Sequence, residues 1–135
     1  MRNLIFILIA LTLINPAQAQ DGMGGASADR FGEQFAQQSQ QYEEALGAYG
    51  RGDYSTAMAL WGPLAEQGLA DAQFNLGLMF SQGQGVSQNY AEAVHWYRLA
   101  AAQGLARAQF NLGLSFANGQ GILQDYAEAV VWYRL

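Results

Sequence analysis

Cysteine and lysine are both absent from the 135-residue chain, histidine occurs once and proline twice. Without cysteine no disulfide holds the fold in an oxidising compartment, and thiolate nucleophiles and thiolate metal sites are excluded. Without lysine there is no phosphate-binding loop, no Schiff base and no Ser-x-x-Lys nucleophile. The lone histidine, His95, has Glu92 one turn earlier as its one prospective partner. Val131 takes the same place 36 residues on, so a solvated polar position is the expected role. Scattered carboxylates and one histidine do not make a metal site. No catalytic residue, cofactor or metal is therefore expected.

Positive charge is also scarce, with six Arg against eleven Asp plus Glu. An acidic chain without a basic cluster gains nothing by displacing counterions from phosphate, so nucleic acid is not expected as a partner. Attraction to anionic lipid is not expected either. The longest apolar run, residues 4–14, is too short for the roughly 20 residues that span a bilayer. It follows Met1-Arg2-Asn3 and precedes Asn15-Pro16 and Ala17-Gln18-Ala19, the order of a cleaved export signal. Residues 1–19 are thus expected to be removed. The mature chain then starts at Gln20 without membrane insertion, in the periplasm or secreted. Lipoprotein processing would need a cysteine after that run.

What the chain has in abundance is repetition. Residues 69–99 and 105–135 align at an offset of 36, and 23 of the 31 pairs are identical. Tyr54, Ala57, Gln67 and Gly68 stand 36 residues before Tyr90, Ala93, Gln103 and Gly104, marking an earlier copy. Such a period is the signature of stacked supersecondary units. The expected organisation is a Gly-rich linker at 20–28 and a helical domain at 29–135. Its repeats fall at about 29–68, 69–104 and 105–135, the last truncated.

Each later copy reads as two helices. In 70–82, Ala72, Leu76, Met79 and Phe80 form one apolar stripe, and Phe74 and Leu78 a second on the far side. A helix apolar on two sides needs cover on two sides. Residues 89–103 are simply amphipathic, with Tyr90, Ala93, Val94, Trp96, Tyr97, Ala100 and Ala101 on one face. Asn89 with Glu92, and Asp125 with Glu128, have the spacing of a capping box. Gly68 and Gly104 suit left-handed closing positions. In the first pair, Phe31, Phe35, Tyr42, Leu46 and Tyr49 are expected to point inward. Its connection reads about six residues shorter than the later ones, pairing Leu46 with Leu76. The fold class is then all-α, an α-solenoid of antiparallel helix pairs.

The string Ala72-Gln73-x-x-Leu76-Gly77-x-x-Phe80-x-x-Gly83-x-Gly85-Val86, followed by Tyr90, Ala93, Trp96, Ala100-Ala101 and Gly104, resembles a Sel-1-like repeat. A second copy starts at Ala108. The stretch Ala45 to Ala57 is similar to a tetratricopeptide unit. The resemblance implies an α-solenoid acting as a scaffold or adaptor, in bacteria often secreted or periplasmic. Two features depart from the family pattern. Leu69 and Leu105 stand where a capping Asn often follows the closing Gly, and the last helix stops at Leu135. Cysteine-rich secreted members, some linked to β-lactamase activity, are stapled by disulfides; this chain has none, so that activity is not carried over.

The expected function is protein–protein interaction in the bacterial cell envelope, with a peptide or protein segment bound on the solenoid surface. Trp96, Tyr97, Trp132 and Tyr133 recur at core spacing. The polar residues that packing does not demand are Asn75 with Gln82, and Asn111 with Asn118. These four are the candidate protein-binding residues, the competing role for Asn75 and Asn111 being bonds between repeats. Two other readings stay open: an envelope enzyme or enzyme subunit acting on cell-wall material, and a truncated repeat fragment without independent activity. Exposed apolar residues at the C-terminal end also lead to an expectation of self-association.

Overall fold

A computed structural model describes residues 24–135. The expected export signal and the first residues of the expected linker, 20–23, lie outside the described residues. The chain falls into two units, Met1–Ser39 and Gln40–Leu135. Among the described residues there are six α-helices and no strand. They are α1 (Gly24–Gly50), α2 (Tyr54–Glu66), α3 (Ala70–Gln82), α4 (Tyr90–Ala102), α5 (Ala106–Asn118) and α6 (Tyr126–Tyr133).

In the first unit, α1 starts at Gly24, so residues 24–28, expected as linker, are helical. The first N–H groups of a helix need no intrahelical partner, which lets a Gly-rich first turn precede better helix formers. Phe31 and Phe35, expected inward, are exposed at 63% and 71%. Ser39 Oγ donates to the Phe35 carbonyl at 3.0 Å.

The second unit is built on two cores. In the first, Ala45 and Ala48 of α1 meet Ala57, Trp61, Leu64 and Ala65 of α2 and Ala72, Leu76 and Met79 of α3. In the second, Phe74 of α3 meets Ala93, Val94 and Tyr97 of α4, Ala108, Leu112 and Phe116 of α5, and Ala129 of α6. Helix α3 thus serves both cores, as its two apolar sides require. Phe80 packs against the second core, not with Ala72, Leu76 and Met79 as its angle suggested. Helix α4 is split as well, Trp96 packing against the first core while Tyr97 belongs to the second. Full burial of a side chain such as Leu64 or Leu112 contributes about 1.5–3 kcal/mol. Packing of this kind holds a cysteine-free unit together.

Polar contacts fix the helix ends. Asn89 Oδ1 accepts from the amides of Ala91 and Glu92, and Asp125 Oδ1 from those of Ala127 and Glu128. The reciprocal half of the expected capping box is not made. The Asn89 and Asp125 amides donate instead to the carbonyls of Phe80 (2.8 Å) and Phe116 (2.9 Å), tying the second helix of each pair to the first. Leu69 and Leu105 give no side-chain cap. Instead, the Gln73 and Gln109 amides donate to the carbonyls of Ala65 (3.1 Å) and Ala101 (3.3 Å), fastening each first helix to the helix before it. Gly68 and Gly104 take φ of +95° and +87°, the left-handed conformation that closes a helix at little cost for glycine.

Ring pairs set the register between repeats. Tyr42 lies 6.1 Å from Trp61, Phe74 5.9 Å from Tyr97, and Phe110 5.7 Å from Tyr133. Tyr42, Phe74 and Phe110 are therefore equivalent, as are Trp61, Tyr97 and Tyr133. Residue n of α1 then corresponds to n + 32 in α3, so Leu46 matches Leu78 and not Leu76, and buried Ala45 matches buried Gly77. Leu46 is 39% exposed. The first connection has three residues (51–53) and the second seven (83–89), four fewer rather than six.

Candidate functional site

A cleft of about 220 Å³ opens between the second and third repeats. Helix α3 lends it Leu78, Ser81 and Gln82, and α4 lends Tyr90, Ala93 and Tyr97. Helix α5 adds Asn111, Leu114, Ser115 and Asn118, and Gln120 follows from the next connection. Three of the four candidate residues, Gln82, Asn111 and Asn118, are thus brought to one place.

Asn75 is not among them. It is buried, and its Nδ2 donates to the Tyr42 hydroxyl at 3.2 Å, joining the first and second repeats. Asn111 has Phe74 in the equivalent place, a ring without a hydroxyl. Its amide is left facing the cleft, and the two Asn residues have different roles despite identical sequence surroundings.

The walls of the cleft are neutral, and part of them is hydrogen-bonded within the protein. The Tyr97 hydroxyl donates to Ser81 Oγ at 3.2 Å, and Ser81 Oγ donates to the Leu78 carbonyl at 2.9 Å. Burial holds the Tyr97 phenol above its ordinary 10.0, so it stays protonated and remains a donor. Gln88 Nε2 donates to the Tyr90 hydroxyl at 3.0 Å, leaving that proton free. The side-chain amides of Gln82, Asn111, Asn118 and Gln120 make no hydrogen bond within the protein. No carboxylate or histidine lines the cleft. Its groups can donate and accept hydrogen bonds, and none of them exchanges a proton readily near neutral pH. The volume falls below the roughly 300–1,000 Å³ usual for small-molecule pockets and suits a single side chain.

His95 lies elsewhere, exposed, with its ring 5.2 Å from that of Trp96. Among the described residues no three His, Asp or Glu side chains gather as metal ligands. No helix there is long and apolar enough to cross a membrane.

This arrangement of paired helices matches known proteins. Residues 70–105 and 106–135 each fit the family model described as Sel1 repeat. Residues 70–135 belong to the Sel1 repeat family. A Sel1 repeat protein from Oxalobacter formigenes is 40% identical with a TM-score of 0.66, over 69% of this chain and 38% of that one. A protective antigen present in uropathogenic Escherichia coli strains, displaying an SLR fold, is 40% identical with a TM-score of 0.69. That match covers 76% of this chain and 23% of the antigen. The chain therefore spans well under half of either structure. No curated protein matches it. Sel1 and SLR repeat proteins generally mediate protein–protein interaction.

Within these Sel1 repeats, the cleft includes Ser81, Ser115 and Gln120, which periodicity did not single out, and Tyr90 and Tyr97, which it placed on the apolar face. The tyrosines read as core because they recur, and Tyr97 is both core, at 4% exposure, and cleft wall. A signal for Ser81 does exist in the sequence. At an offset of 32 it stands where the first repeat has Tyr49.

Proposed function

We propose that the chain is a protein–protein interaction scaffold of the bacterial cell envelope and not an enzyme. In this reading residues 1–19 direct export to the periplasm or beyond, and a peptide or protein segment binds along the first helices of the Sel1 repeats. The observation that carries it is the cleft between α3, α4 and α5, where four side-chain amides make no hydrogen bond within the protein and no carboxylate or histidine is present. Hydrogen-bond donors and acceptors left without protein partners are the groups a peptide backbone would satisfy.

A second surface supports self-association. Phe74, Val94 and Tyr97 are 7%, 5% and 4% exposed beneath α5, whereas their equivalents Phe110, Val130 and Tyr133 are 55%, 43% and 43% exposed. An apolar face of this kind is ordinarily covered by another element.

The test is quantitative capture from an envelope extract with Asn118→Arg, Gln82→Arg and, as control, His95→Arg. The reading expects the first two to lose a partner that the third retains. Equal capture by all three would reject this surface.

A further inference from the structure

We infer that the cleft between the second and third repeats binds the side chain of a tyrosine presented by a partner peptide. The inference rests on the scaffold reading and adds the chemistry of the bound group. Its basis is that the molecule contains the same site twice, once filled and once open.

Between the first and second repeats the site is filled from within. The ring of Tyr49 lies 5.2 Å from Tyr54 and 5.5 Å from Trp61, and its hydroxyl donates to Gln84 Oε1 at 2.7 Å. Gln84 Nε2 in turn donates to the Tyr54 hydroxyl at 3.3 Å. One repeat later the equivalents of Tyr54, Trp61 and Gln84 are Tyr90, Tyr97 and Gln120, and all three line the cleft. The equivalent of Tyr49 is Ser81, which has no ring. The space that a phenol occupies at the first junction is therefore open at the second, and the Gln120 amide has no partner.

The size and the donor pattern agree. A cavity of roughly 150 Å³ already accepts a benzene ring, and this one measures about 220 Å³. A phenol seated between Tyr90 and Tyr97 donates to Gln120 Oε1, as Tyr49 does to Gln84. A phenylalanine ring fills the same space without that hydrogen bond, so tyrosine is favoured over phenylalanine. The Asn111 amide, deprived of a hydroxyl partner by Phe74, remains to donate to a carbonyl of the same peptide.

The test is an NMR titration of the protein, purified after expression of the full sequence, with N-acetyl-tyrosinamide and N-acetyl-phenylalaninamide. Saturable shifts are expected at the Gln120 side-chain amide, Ser81 and Asn111, with tyrosinamide bound about five-fold more tightly, the worth of one neutral hydrogen bond. Gln120→Leu should bring the two affinities together. Ser81→Tyr should fill the cleft from within and abolish binding of both. Absence of saturable shifts overturns the inference, as do equal affinities in the unaltered protein. If Ser81→Tyr does not fold, Gln120→Leu decides alone, and retained tyrosine preference in that variant overturns the inference. Loss of a captured partner in Asn118→Arg without tyrosinamide binding would retain the scaffold reading and reject this one.

Discussion

The Tyr97 ring lies so close to Gly77 that a Cβ on the glycine would come within 2.5 Å of the ring edge. Gly113 and Tyr133 repeat the relationship, at 2.6 Å. These glycines sit inside helices, where alanine or leucine is favoured by roughly 1 kcal/mol. The contact explains why the sequence accepts that cost twice: the aromatic side chain of the second helix packs directly on the backbone of the first.

Replacing Gly77 by Leu should therefore overpack the second core and destabilise by about 1–3 kcal/mol. Gly113→Leu should cost less. Tyr133 is 43% exposed and has room to move, whereas Tyr97 is 4% exposed and has none. His95→Ala, on the exposed face, should stay within about 0.5 kcal/mol. Urea denaturation midpoints give the order, and an equal loss at the two glycines would show that ring mobility is irrelevant.

The Asn75–Tyr42 contact predicts an asymmetry between the junctions. Tyr42→Phe strands the Asn75 amide and should cost about 0.5–1.5 kcal/mol. Phe74→Tyr offers Asn111 the hydroxyl it lacks and should be neutral or stabilising. If both substitutions destabilise equally, the equivalence drawn from the ring pairs does not extend to the amides.

Helix α2 supplies a pH dependence. Asp53 Oδ1 accepts from the Thr56 amide at 3.2 Å. Hydrogen bonding by Thr56, and then the charge of Arg51, hold its carboxyl below the usual 3.8. Because the folded-state value is depressed, the stabilisation is present above the unfolded value and is lost as pH falls through the folded one. Asp53→Asn keeps a capping side chain without the titration. Its denaturation midpoint should fall less than that of the unaltered protein as pH drops through the carboxylate range. Parallel curves would assign the acid sensitivity to other groups.

The exposed face of the third repeat predicts concentration-dependent association. Phe110→Ser with Val130→Ser should shift the protein toward monomer in sedimentation velocity, leaving the helical circular dichroism unchanged. A protein that is already monomeric at high concentration would contradict it.

Much of this was readable in the sequence because the same physics is written in it repeatedly. The bounds of α3 to α6 follow from the 36-residue period, the caps Asn89 and Asp125, and the closing glycines. The first pair was harder. Its shorter connection shifts the register to 32, so Leu46 was paired with Leu76 where it matches Leu78, and Phe31 and Phe35, read as inward, are exposed. At the site, Gln82, Asn111 and Asn118 stood out as polar residues that packing does not require. Asn75 looked identical to Asn111, because what separates them is a hydroxyl 33 residues away on the most diverged helix. Ser81 and Gln120 gained meaning only once Tyr49 and Gln84 had shown what that position holds.

The central claim is that partners are bound on the polar face of the first helices. Its most direct measurement is photo-crosslinking with benzoylphenylalanine placed at Asn118 or at His95, in cells, followed by mass spectrometry of the adducts. The account predicts a discrete adduct with a second protein from position 118 and none from position 95. Adducts from position 95 alone would place the binding surface on the opposite face and contradict it.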